Sequence, residues 1–163
     1  MSMMGVFFAL SPDQEHALLD ADESGSDDSV RDLIEEFEEN WADGRYSADT
    51  DQAWDAIHRC LTDGTLDPDG GAYPLSHAVL GGRHLSDDWY VVYVSATEVK
   101  DVAAALREVA RDWLRTRLEG LGAGYTGARD DADFEYTWSN FEDVREFYGR
   151  AAEAGRAVVF TAT

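Results

Sequence analysis

Cysteine is almost absent from this chain of 163 residues. Cys60 stands alone, so no intramolecular disulfide framework staples the fold, and a lone thiol of this kind packs as a small hydrophobe. Lysine is nearly absent too, with one residue against twelve arginines, and there are only three prolines. No apolar run approaches the ~20 residues that span a bilayer, and no basic segment leads into an apolar run at the N-terminus. A cytoplasmic protein without a membrane partner is expected. Positive charge is scarce overall: 13 basic residues face 34 acidic ones, for a net charge of −21. A field of that sign repels phosphates, which excludes nucleic acid and anionic membrane surfaces as expected partners.

Apolar residues make up 44% of the chain and aromatics 12%, enough at this length for one ordinary core. No repeat or low-complexity linker divides it, so residues 1–163 read as a single domain. The charge is concentrated: residues 11–70 hold 19 acids against three arginines, or −16, and the rest of the chain holds −5. The most distinctive stretch runs from Trp54 to Gly82. Its spacing Trp54-Asp55-x-x-His58-x-x-Leu61-Thr62, a Gly/Asp loop, and Pro74-Leu75-Ser76-x-Ala78-Val79-x-Gly81 resembles the YfbM-like family, small bacterial proteins grouped as a domain of unknown function. The resemblance extends from Met4-Gly5 to Ala157-Val158-Val159-Phe160. It implies membership of that family and carries no activity.

Local patterns predict an α+β fold with a small sheet of three or four strands and about five or six helices. Met4–Leu10, Asp88–Ser95 and Ala157–Thr161 read as strands. Ser11-Pro12-x-Gln14 forms a capping box for a helix to about Asp20. Val30, Leu33, Ile34, Phe37 and Trp41 recur at helical spacing on a second helix that Gly44 stops, with Glu35, Glu36, Glu38 and Glu39 on its opposite face. A third helix covers about Thr50 to Thr62, and Pro74 opens a short one closed by Gly81-Gly82. One long helix is expected from Ser95 or Thr97 to about Leu121. Phe134–Trp138 reads as an edge strand, and Ser139-x-x-Glu142 as the capping box of a final helix ending at Gly155. Parallel and antiparallel pairing both remain open.

Candidate chemistry gathers around the third helix. Trp54 and His58 share one face at i, i+4, and Asp55 stands three residues before His58, so a carboxylate–imidazole pair beside an indole could floor a pocket. The alternative places Trp54 in the core and hydrogen-bonds His58 to a backbone carbonyl of the following loop. Ser76 and His77 follow, but neighbours on a helix diverge by about 100°, so they are not expected to form a catalytic pair. Cys60 is about 200° from His58 and cannot share its site. No metal-ligand spacing and no cofactor motif is present; Thr65-x-Asp67-x-Asp69-Gly70 lacks the first acid and the bidentate glutamate of a calcium loop and reads as a turn. The glycines from Gly120 to Gly127 follow a helix and lack the lysine of a phosphate cradle. Arg107, Arg111 and Arg115 form a basic stripe expected to pair with the acidic first half, in the same chain or in a second subunit.

The functional expectation is an acidic, non-enzymatic binding protein of the immunity or regulator type. It would recognise a basic protein surface through an acidic face of Glu35, Glu36, Glu38 and Glu39. The alternative is a small ligand-binding protein or enzyme with a pocket around Trp54, His58 and His77, with Asp55 and Ser76 beside them.

Overall fold

The computed structural model describes residues 3–163. Among them, five strands form one sheet: β1 (Gly5–Leu10), β2 (Ser47–Asp49), β3 (Arg83–His84), β4 (Tyr90–Val94) and β5 (Ala157–Ala162). Their order is β2-β1-β5-β4-β3, antiparallel throughout. The three strands legible from apolar runs are its centre. The expected count of three or four is exceeded because β2 and β3, of three and two residues, are too short to show an alternation.

Side chains alternate across the central strands with period two, as the pleat requires. Phe7, Ala9, Val92, Val94, Val158, Phe160 and Ala162 enter one core cluster, and Phe8, Leu10, Val91, Tyr93 and Val159 enter a second on the other face. Helices α1 (Pro12–Glu23) and α2 (Asp27–Asn40) cover the second face. Helices α3 (Trp54–Leu61), α4 (Ala96–Arg107), α5 (Arg111–Glu119) and α6 (Asp131–Glu153) cover the first. The fold is therefore a single α+β domain with an antiparallel sheet between two helical layers, and β5, buried along its whole length, runs through its middle.

Capping chemistry sets several boundaries. Ser11 and Gln14 make the reciprocal capping box of α1, at 3.2 and 2.8 Å, and Ser95 and Glu98 make that of α4. The long helix expected from Ser95 to Leu121 breaks at Glu108–Ala110, where buried Val109 turns the chain and its carbonyl accepts from Arg145. Phe134–Trp138 is not an edge strand. It is the first part of α6, capped by Asp130 on the backbone of Asp133, with Phe134, Trp138 and Phe141 at i, i+4, i+7 on the buried side. Ser139 and Glu142 are consequently mid-helix rather than a cap.

Gly5 shows how tightly the first layer is built. A Cβ there would lie 2.5 Å from Trp54 Cδ1 and 2.9 Å from Phe160 Cε1, so only glycine lets the indole rest on β1.

Candidate functional site

Helix α3 is buried almost all round, from Trp54 through Leu61. Trp54 opens it, 5% exposed, its ring 5.5 Å from that of Tyr90 and 5.7 Å from that of Phe160, its Nε1–H donating to the carbonyl of Met3 at 2.8 Å. The indole also lines a cleft of about 520 Å³. Four aromatic residues from four segments wall it: Trp54 of α3, Tyr90 of β4, Tyr125 of the loop before α6, and Tyr136 of α6. Asp55 and Asp133 supply its charge, and Leu66 forms part of the rim.

The walls are tied down by hydrogen bonds. Tyr125 Oη donates to Asp133 at 2.7 Å, and Asp133 also accepts the backbone N–H of Arg129. Burial, then that carboxylate, pushes the Tyr125 phenol well up from its ordinary value. Arg129, at φ +63°, donates to the carbonyls of Leu121, Gly122, Tyr125 and Gly127 and stacks on the Tyr125 ring. One guanidinium thus organises the whole glycine-rich loop. Tyr136 Oη donates to Asp51 at 2.9 Å and accepts the N–H of Gln52 at 3.0 Å. Arg117 caps the C-terminal end of α3 through the carbonyls of Cys60 and Thr62.

The structure brings Trp54 and Asp55 to this cleft and does not bring His58, Ser76 or His77 there. The expected Asp55–His58 pair is not made. Asp55 turns to Arg59, 2.7 Å from its Nε, because i, i+4 places the guanidinium across the same turn. His58 is fully buried, with Nε2 3.2 Å from the carbonyl of Asp67 and Nδ1 without a partner among the described residues. Burial pulls its pKa below the ordinary histidine value, outweighing the carbonyl's opposite pull. Ser76 and His77 lie on a 3₁₀ turn, Leu75–Ala78, against α4. Contrary to the helical expectation, their side chains meet, Ser76 Oγ 3.1 Å from His77 Nδ1, while His77 Nε2 is 3.4 Å from Glu98. Tyr73 packs edge-on against His77 and donates to Asp101. Cys60 is buried, its thiol pushed up to about 12 by desolvation.

On the opposite side of the sheet, α2 exposes Glu35, Glu36, Glu38 and Glu39. Among the described residues none of the four forms an ion pair. Partial burial, then repulsion from Glu35 and Glu39, raises the Glu38 pKa. Within the chain the basic stripe takes partners outside the acidic first half: Arg111 pairs with Glu135 and Arg115 with Asp131, both on α6, while α5 itself packs against both α3 and α6.

The family model described as "Domain of unknown function (DUF1877)" matches residues 1–161. The chain belongs to this family. The chain is similar in structure to the crystal structure of YfbM, a protein of unknown function from Escherichia coli, with a TM-score of 0.72 at 23% identity, covering 99% of this chain and 100% of that one. That likeness shows a shared fold. No curated protein matches the chain. Family membership accounts for the Trp54–Gly82 signature, and in this structure those residues build α3, the loop that His58 closes, and the 3₁₀ turn on α4. Tyr90, Tyr125 and the α6 pair Asp133 and Tyr136 carry no joint signal in the sequence, since they come from three separate segments. A tyrosine within a run of glycines at 120–127 was the one visible hint.

Proposed function

We propose that this protein is a non-enzymatic binding protein whose acidic α2 face recognises a basic protein surface. The observation that carries the reading is the charge on that helix. Asp27, Asp28, Asp32 and the four glutamates stand against Arg31 alone, and Glu38 and Glu39 occupy the last turn, where the helix dipole disfavours anions. Like charges held together against the dipole cost the free protein stability, and a cationic partner relieves that cost while the field accelerates encounter. The test is affinity capture from the source cells with the native chain and with a variant carrying lysine at positions 35, 36, 38 and 39. A basic protein retained by the native chain, released by salt and lost in the variant supports the reading. A partner held equally by both overturns it.

A second reading rests on the cleft. A concave site of about 520 Å³ with aromatic walls and two carboxylates is the form that small-molecule sites take, and it supports a ligand-binding role centred on Trp54 and Asp55.

A further inference from the structure

We infer that the cleft beside Trp54 binds an organic ammonium cation: a protonated or methylated amine carried on an apolar stem. The inference rests on the second reading above and names its ligand class.

Among the described residues the lining holds four aromatic rings, Asp55 and Asp133, and no lysine, arginine or histidine. The neighbouring guanidinium groups are committed elsewhere: Arg59 to Asp55 and the carbonyl of Gly64, Arg117 to the end of α3, Arg129 to the carbonyls of its own loop. Asp55 is thus balanced by Arg59. Asp133 is not: it accepts from a phenol and a backbone N–H, both neutral, and among the described residues it makes no ion pair. An anionic ligand would be repelled.

A hydroxyl-rich neutral ligand is also poorly served. Three of the donors that would recognise it are spent inside the protein, Tyr125 Oη on Asp133, Tyr136 Oη on Asp51 and Trp54 Nε1 on the carbonyl of Met3, which leaves Tyr90, Gln52 and Thr126. What the site offers outward is ring surface. Arg129 already covers one face of Tyr125, so the contact falls chiefly to Trp54, Tyr90 and Tyr136; aromatic rings beside a carboxylate attract an ammonium group while accommodating its alkyl substituents. The cleft and the α2 face lie on opposite sides of the sheet, so the two can be tested separately.

The experiment is a ¹H–¹⁵N NMR titration of the full chain with four probes. These are choline, its neutral carbon isostere 3,3-dimethylbutan-1-ol, Nα-acetyl-lysine methylamide and methyl glucoside. The two ammonium probes are expected to shift the Trp54 indole N–H and the Gly127 amide. The isostere should bind about tenfold more weakly, the scale set by a desolvated cation–π contact. Tighter binding by the lysine derivative would identify a peptide side chain as the source, and tighter binding by choline a free small molecule. Asp133→Asn and Tyr136→Ala should each weaken the ammonium probes by about tenfold. Tyr136 is 39% exposed, so its truncation keeps the test valid should Asp133→Asn disturb the Arg129 loop. Equal binding by the isostere or the glucoside overturns the cation class and leaves the cleft reading standing. Four probes that leave Trp54 and Gly127 unmoved overturn both, as does ammonium binding that is unchanged in Tyr136→Ala.

Discussion

His58 Nε2 lies 3.2 Å from the carbonyl oxygen of Asp67. The carbonyl can only accept, so Nε2 carries the proton and Nδ1 is a buried acceptor without a partner among the described residues. The contact fastens the loop after α3, and that loop supplies Leu66 to the rim of the cleft. His58 therefore holds, from behind, the loop that lines the cleft.

Acid should loosen the fold through this ring. The folded pKa of His58 is depressed, so below the unfolded value of ~6.5 the unfolded chain binds the extra proton. The stability that the neutral ring provides is complete above that pH and is lost as pH falls through ~6.5 toward the folded value. Urea melts between pH 8 and pH 5 should show the decline, and His58→Phe should flatten it. An NMR titration in which the His58 ring titrates at or above the ordinary histidine value would refute the assignment.

Trp54→Ala should cost about 3–5 kcal/mol, the range for truncating a buried aromatic, because the indole packs on Tyr90 and Phe160 and satisfies the Met3 carbonyl. Chemical denaturation of the single variant measures it. A loss below about 1 kcal/mol would mean that the indole contributes little to the core.

Gly5→Ala should destabilise by about 1–3 kcal/mol through overpacking, since the new methyl meets Trp54 and Phe160. Combined with Trp54→Ala, which removes the ring atoms it strikes, the loss should be less than the sum of the two single losses. Additive losses in that double-mutant cycle would place the strain elsewhere.

Salt should stabilise the free protein. At −21, self-repulsion is strong, and raising ionic strength from about 0.01 M to about 1 M shortens the screening length from about 30 Å to about 3 Å. The melting temperature should rise over that range, and less steeply in the variant with lysines at positions 35, 36, 38 and 39. A melting temperature that falls with added salt would contradict the view that unbalanced acids strain the free fold.

The amino-acid sequence by itself determined the features that depend on neighbours along the chain. The capping box Ser11/Gln14 and the cap Ser95/Glu98 are satisfied within one turn, and apolar runs such as Tyr90–Val94 and Ala157–Ala162 specify burial on both faces wherever they are placed. The acidic face of α2 was legible for the same reason, since helical spacing alone puts Glu35, Glu36 and Glu39 away from Ile34 and Phe37, while Glu38, one turn after Ile34, flanks the buried side. Only the tertiary structure decided the rest. Ser139 and Glu142 have the spacing of a cap, yet the aromatic stripe of Phe134, Trp138 and Phe141, once packed on the sheet, carries the helix straight through them. Asp55 had two ring or guanidinium partners within reach on its own helix, and the burial of His58 left it Arg59. The cleft joins Trp54, Tyr90, Tyr125 and Tyr136, four rings that no local pattern relates, because their proximity is created by strand order and by the loop that Arg129 gathers.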